Sequence, residues 1–208
     1  QVTTRFTRGN SCDGTVVYLA PSHEFPLVNL VVTFKGGASL DPADVPGLAS
    51  MTARMAREGG TKQRGPAEFD ETLDFLATEV GVAASETFTT ATMNCLKSNF
   101  DESLALFVGM LREPAFDQAR LDTAKARGIE GLKQRNDDAS SILSREWKRL
   151  VYGVDHFESA EPTDKTVAAI SKERLAEMHR RIFHPGNMIV AVSGLSLIHI
   201  SEPTRPRL

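Results

Sequence analysis

At 208 residues, with 41% apolar and 25% charged side chains, the chain has room for one sizeable domain with a proper core, and its composition is that of an ordinary soluble globular protein. A formal net charge of -3 and a pI near 6.0 give no electrostatic reason to expect nucleic acid or an anionic membrane as partner. No apolar run approaches the ~20 residues that a membrane-spanning helix needs.

Thr4-Arg5-Phe6 and Thr15-Val16-Val17-Tyr18-Leu19 flank the polar turn GNSCDG and read as a hairpin. Pro26 leads into a β-rich run from Leu27 to Phe34, closed by Gly36-Gly37. The loop DPADVPG then reaches a helix start, with Asp44 as the expected N-cap and Pro46 in the first turn, where a missing N–H does no harm. Leu48, Met51 and Met55 form an apolar stripe at helical spacing, and Gly59-Gly60 ends the helix. On its other face Ser50, Ala53 and Arg54 stand three and four residues apart, the spacing of a helical metal site, yet none is a metal ligand in this setting.

Gly65-Pro66 opens a second helix whose expected core face is Phe69, Leu73, Leu76 and Val80, with Gly81 as its end. Residues 82–97, rich in Thr, Ala and Val, read as a strand pair or one bent strand. Ser98 or Asn99 caps a helix burying Leu104, Phe107, Val108 and Leu111. Asp117 opens a long charged helix to about Arg135, and Asp138 another through Trp147 and Leu150. Residues 153–165 read as a polar loop, and Ser171 caps a helix carrying Leu175, Met178 and Ile182. After the turn Pro185-Gly186-Asn187, Met188 to Val192 is the closing strand. Strands first, helices in the middle and a strand at the close predict an α+β domain, a mostly antiparallel sheet with helices layered on one face.

The remaining candidates have plain explanations beside the chemical ones. Cys12 and Cys95 read as two isolated residues, Cys95 in a strand, although a pairing in space is not settled by sequence. His179 and His184 are five apart and do not share a helical face, so a surface His and a turn His are favoured over a ligand pair. His23-Glu24 sits in a turn and His156 in a loop, neither with a partner at ligand spacing. The hydroxyls of SETFTT alternate along a strand and fit its solvent face. Lys125, Arg127, Lys133 and Arg135 are interleaved with Glu130 and Asp137-Asp138, the pattern of a solvated helix face. Arg54 and Glu58, at i,i+4, can form a simple helix-surface ion pair.

With the elements in place, their order resembles the N-terminal domain of the pitrilysin/insulinase family of zinc metallopeptidases. The resemblance rests on PLVNLVVTFKGGASLDPADVPGLAS, EGGT, GVAASETFTTATMNC and HRRIFHPGNMIVAVSG, in that order, and covers about Val2 to Gly194. It implies an inverted zinc motif, H-x-x-E-H, with two imidazoles on one helical face, a general-base glutamate between them and a third ligand on a later helix. The matching positions are Ser50, Ala53 and Arg54, and for the later ligand Lys133, with Glu130 as the neighbouring register. A hydroxyl, a methyl and a guanidinium cannot replace those groups, so the implied reading is a zinc site without ligands. No metal or cofactor is therefore expected in this chain, and zinc is expected in a catalytic partner or half.

The resemblance further implies two homologous halves enclosing a peptide chamber, in many bacterial members as separate chains, only one of them bearing the motif. The expected role is a non-catalytic half that supports a partner in proteolysis, with extended peptides pairing along Ala83-Ala84-Ser85. The alternative is a purely structural or assembly subunit, like the respiratory-complex core proteins of the same family. Exported relatives suggest the periplasm.

The final LSLIHISEPTRPRL breaks the pattern of everything before it, and Leu195 to about Arg205 resembles the translation of a sequencing-library adaptor. The expectation is one domain over residues 1–194, truncated before a following homologous domain, with 195–208 not native and His199 set aside. With Gln1 rather than Met as first residue, the expectation is that the true start lies outside this sequence, and a removed export signal is compatible with that.

Overall fold

A computed structural model describes residues 7–10, 15–22 and 25–194, the first of these stretches by backbone only. Thr4–Phe6, Cys12, His23-Glu24 and the tail from Leu195 lie outside the described residues. Among the described residues six strands form one sheet: β1 (Thr7–Asn10), β2 (Val16–Pro21), β3 (Leu27–Lys35), β4 (Glu79–Ala84), β5 (Phe88–Leu96) and β6 (Met188–Gly194). Their order across the sheet is β1-β2-β6-β3-β5-β4. Every neighbouring pair is antiparallel except β2 and β6, because the last strand threads between the hairpin and β3 instead of adding to an edge.

Alternation along β3 and β5 sends one set of side chains into the core and the other to the open face. Val28, Leu30, Val32 and Phe34 are buried on β3, and Thr89, Ala91, Met93 and Cys95 on β5. On the open face Asn29 and Asn94, paired in register, share a hydrogen bond of 2.6 Å. The described residues also form seven helices: α1 (Leu48–Glu58), α2 (Pro66–Phe75), α3 (Phe100–Arg112), α4 (Gln118–Gln134), α5 (Ala139–Tyr152), α6 (Asp164–Ala168) and α7 (Lys172–Ile182). The covered face is the one that carries the core, joined there by Met55 of α1, Phe69 and Leu73 of α2, Phe107 and Met110 of α3 and Leu175 of α7.

Several local expectations shift. Helix α2 stops at Phe75, and Ala77 turns the backbone with φ 49°, so Val80 and Gly81 belong to β4 and not to the helix. Residues 82–97 resolve as the strand-pair alternative. Ser103, Leu106, Phe107 and Met110 form the buried face of α3, while Val108 is exposed. Ser103 tolerates burial because its hydroxyl meets that of Thr78 at 2.6 Å. The loop at 153–165 contains a 3-10 turn at Phe157–Ser159 and the start of α6.

Candidate functional site

Helix α1 begins differently from the sequence expectation. Its N-cap is Gly47, held at φ 89° where a Cβ would be strained, and Asp44 instead reaches Arg174 at 2.9 Å. The orphan N–H groups of Gly47 and Ala49 donate to the two carboxylate oxygens of Asp41, each at 2.7 Å. Burial pushes the Asp41 carboxyl above the usual range, against the pull of these backbone bonds. Leu48, Thr52, Met55 and Ala56 turn inward, and Met51, expected in the core stripe, is only half-buried and also lines a cleft.

That cleft, of about 790 Å³, opens along the outer face of α1. Ser50 and Arg54 form one wall, Ala84 and Ser85 another, and Gly128 and Leu132 of α4 a third. Lys148 of α5 lies between Glu86 at 3.3 Å and Glu158 at 3.4 Å, tying the β4–β5 turn to the loop beyond α5. Burial draws the Lys148 ammonium down, but the two carboxylates outweigh it and leave the group above an ordinary lysine. Glu161 pins the same loop, with Arg135 and Arg145 at 3.3 Å and Arg149 at 3.8 Å.

Of the four positions matched to a zinc motif, Ser50 and Arg54 face the cleft, whereas Ala53 is buried in the helix packing. Lys133 lies outside it. Its ammonium pairs with Glu130 at 3.1 Å, and Leu132 and Gly128 take the cleft-facing positions of α4. With Leu132 rather than its neighbour turned toward α1, Lys133 and Arg54 do not line the same cleft. Arg54 donates from Nε to Glu58 at 3.1 Å, the helix-surface pair its spacing allows.

Strand β4 ends the sheet, and its edge carries a feature that sequence reasoning missed. Arg57 donates from Nε to the carbonyl of Val80 at 3.0 Å and from Nη1 to Asp70 at 2.7 Å. Ser85 N–H, by contrast, donates to Phe88 and so faces β5. In an antiparallel ladder successive residues alternate between facing the partner strand and facing away. Val80, Val82 and Ala84 therefore turn their main-chain groups to the open edge, and Ala83 and Ser85 turn theirs inward. Of the three residues expected to pair with a peptide, Ala84 alone has main-chain groups aimed outward. The available signal for Arg57 was its place one turn beyond Arg54 on α1.

The histidines have structural settings. His179, expected at the surface, is buried: its Nε2 meets the Leu111 carbonyl at 2.8 Å, and its ring lies 4.7 Å from that of Phe183 and 5.8 Å from that of Phe116. Burial lowers its pKa from the usual value. His156 caps the 3-10 turn by accepting from Glu158 N–H. Cys95 is a free, buried thiol whose pKa burial raises. Among the described residues no three His, Cys, Asp or Glu side chains gather in a way that could hold a metal ion, and no helix is long and apolar enough to cross a membrane.

The sequence profile of the insulinase family, peptidase family M16, matches residues 16–154. The chain belongs to that family. One relative of this insulinase-family chain, the non-peptidase homolog YmxG of Helicobacter pylori, is 25% identical over 186 residues, 89% of this chain and 43% of its own length. Among solved structures, the M16 inactive domain from Pseudomonas fluorescens superposes with a TM-score of 0.85 at 22% identity, over 92% of this chain and 47% of that one. A protease from Helicobacter pylori gives 0.79 at 18% identity, covering 93% of this chain and 47% of that one. The periplasmic protease PqqL from Escherichia coli gives 0.81 at 17%, covering all of this chain and 26% of that one. The chain thus spans about half the length, or less, of these relatives. They show a shared fold, and the α+β sheet with helices on one face is that of the M16 inactive domain.

A zinc ion does not suit the donors that this insulinase-family helix offers. Ser50 supplies a neutral hydroxyl and Ala53 no donor, and Arg54 carries a permanent positive charge with no lone pair to give. The positive side chain would repel a dication at the same point.

Proposed function

We propose that the chain is a non-catalytic domain of an insulinase-type peptidase assembly, forming part of a peptide-binding chamber. Hydrolysis would be carried out by a homologous half or subunit that bears H-x-x-E-H and its zinc. The observation that carries this reading is the side-by-side placement of Ser50 and Arg54, where metal ligands would stand, and the Ala84 end of an edge strand in one cleft. Strand addition gives affinity through main-chain hydrogen bonds, which need no metal. The names of two relatives, a non-peptidase homolog and an inactive domain, support the non-catalytic assignment.

Support for a partner comes from α5. None of its residues is buried, yet Leu143, Trp147, Leu150 and Val151 form an apolar stripe at helical spacing. A homologous half packed on that stripe accounts for it, and relatives about twice as long fit the same arrangement. The domain of residues 1–194 would be the first unit of the motif-less half, in an exported, periplasmic protein like PqqL. The test is co-expression with an H-x-x-E-H-bearing family member from the same source. Chelator-sensitive peptide hydrolysis is expected from the pair and not from this chain alone. Such activity in the isolated chain would end the proposal, and a stable pair whose peptidase rate is no higher than its partner's would favour the assembly-subunit reading.

A further inference from the structure

Arg54 is engaged on one side only. Its Nε donates to Glu58, and its two terminal nitrogens make no hydrogen bond among the described residues, while the side chain lines the cleft beside Ala84. A guanidinium presents its remaining donors in a planar fork that matches a carboxylate. Most carboxylates of the cleft are already served: Glu86 and Glu158 share Lys148, and Asp41 accepts from Gly47 and Ala49. Asp155, in the loop after α5, is the exception.

Arg57 limits what can pair beside it. By occupying the Val80 carbonyl, and being itself fixed by Asp70, it closes the β4 edge at that point. A peptide strand that pairs with Ala84 and Val82 finds no acceptor beyond them. If it runs antiparallel to β4, its C-terminal end is the one that advances toward Val80. Arg54 precedes Arg57 by three residues, about 4.5 Å along α1, and Val82 lies roughly 7 Å along β4 from Val80. The peptide therefore runs out of edge beside Arg54.

We infer that the Ala84–Val82 edge and Arg54 together form a receptor for an extended peptide that ends in a carboxylate. This deepens the strand-addition reading above and rests on it. The carboxylate can be the peptide's terminal α-carboxylate or the side chain of a final Asp or Glu, and both present the same group to the guanidinium. Where catalytic relatives cut a polypeptide, this cleft would hold the end of one.

The test uses the purified chain and fluorescence anisotropy of an N-terminally labelled hexapeptide of alternating valine and threonine. Three forms are compared: the free acid, the C-terminal amide, and an amide whose last residue is glutamate. The acid is expected to bind about tenfold more tightly than the plain amide, the scale of one charge-assisted hydrogen bond at a half-exposed site. Arg54→Gln should bring the acid down to the amide and leave the amide unchanged, and Glu58→Gln, which releases Nε, should not weaken the acid. If the glutamate amide matches the acid, the receptor takes side-chain carboxylates as well; if it matches the plain amide, the receptor is for peptide termini. Equal binding of acid and both amides by the native protein overturns the carboxylate receptor while leaving strand addition standing. Binding of none of the three removes both.

Discussion

Helices α1 and α5 are both amphipathic, and they dispose of their apolar faces in opposite ways. Six residues of α1 are buried, among them Leu48, Thr52 and Met55, whereas no residue of α5 is. Leu143, Trp147 and Leu150 of α5 are 68%, 61% and 78% exposed. What keeps α5 in place is its polar side: Asp138 caps it, accepting from Ser141 N–H at 2.8 Å, and Arg145, Lys148 and Arg149 reach the carboxylates of Glu161, Glu158 and Glu86. Helix α1 therefore contributes to the core that stabilises the domain, whereas the apolar face of α5 is available to another surface. The widest test of that difference is Met55→Ala. Met55 is wholly buried against the core, so its truncation is expected to cost about 2–5 kcal/mol in urea unfolding. A loss no larger than that of a surface substitution would remove the distinction.

Next in size is the start of α1. Asp41→Ala leaves two N–H groups without acceptors and is expected to cost about 1–2 kcal/mol. Asp44→Ala, the residue that the local sequence suggests as the cap, should cost far less, because its partner Arg174 is a surface pair. Unfolding curves of the two variants rank them directly, and the reverse order would reassign the cap.

These residues also show what sequence could and could not reveal. The frame of α1 was readable because apolar spacing, the leading Pro- and Asp-containing loop DPADVPG and the closing Gly59-Gly60 all lie in or beside one helix. The edge strand was readable from its Val and Ala content, though not the boundary with α2, since Val80 continues a helical stripe as well as it begins a strand. Asp41 is not legible as a cap because it stands six and eight residues before its donors, outside the usual N-cap position. Lys133, matched to a ligand position with Glu130 as the neighbouring register, lies on the solvated face that its interleaved charges suggest, and the weak apolar stripe of α4 does not fix in sequence which residue turns to α1. Arg57 on Val80 and the three arginines on Glu161 join segments 23 and 12 to 26 residues apart, and no local pattern encodes such meetings.

A smaller effect is expected where α5 meets the loop. Glu161→Gln removes the charge shared by Arg135, Arg145 and Arg149. Those pairs are partly exposed, so the global cost is about 1 kcal/mol or less. The local cost is sharper: amide exchange across residues 153–162 should speed up while that of α1 is unchanged. Uniform acceleration through both regions would mean that α5 and α1 unfold as one unit, and the contrast between them would fail.

The smallest change in stability belongs to Trp147→Ser. The indole is mostly exposed and contributes little to the folded state on its own, so unfolding should shift by no more than about 0.5 kcal/mol. Its value is as a reporter, since it is the protein's one tryptophan. In the isolated native protein its emission should be that of a solvated indole, and a homologous partner that covers α5 should move it to the blue. The same partner should bind Trp147→Ser more weakly by a factor well beyond the stability change, because a central aromatic side chain carries an outsized share of an interface. A partner that binds native protein and variant equally, without a spectral shift, does not sit on α5, and its apolar stripe would then need a different occupant.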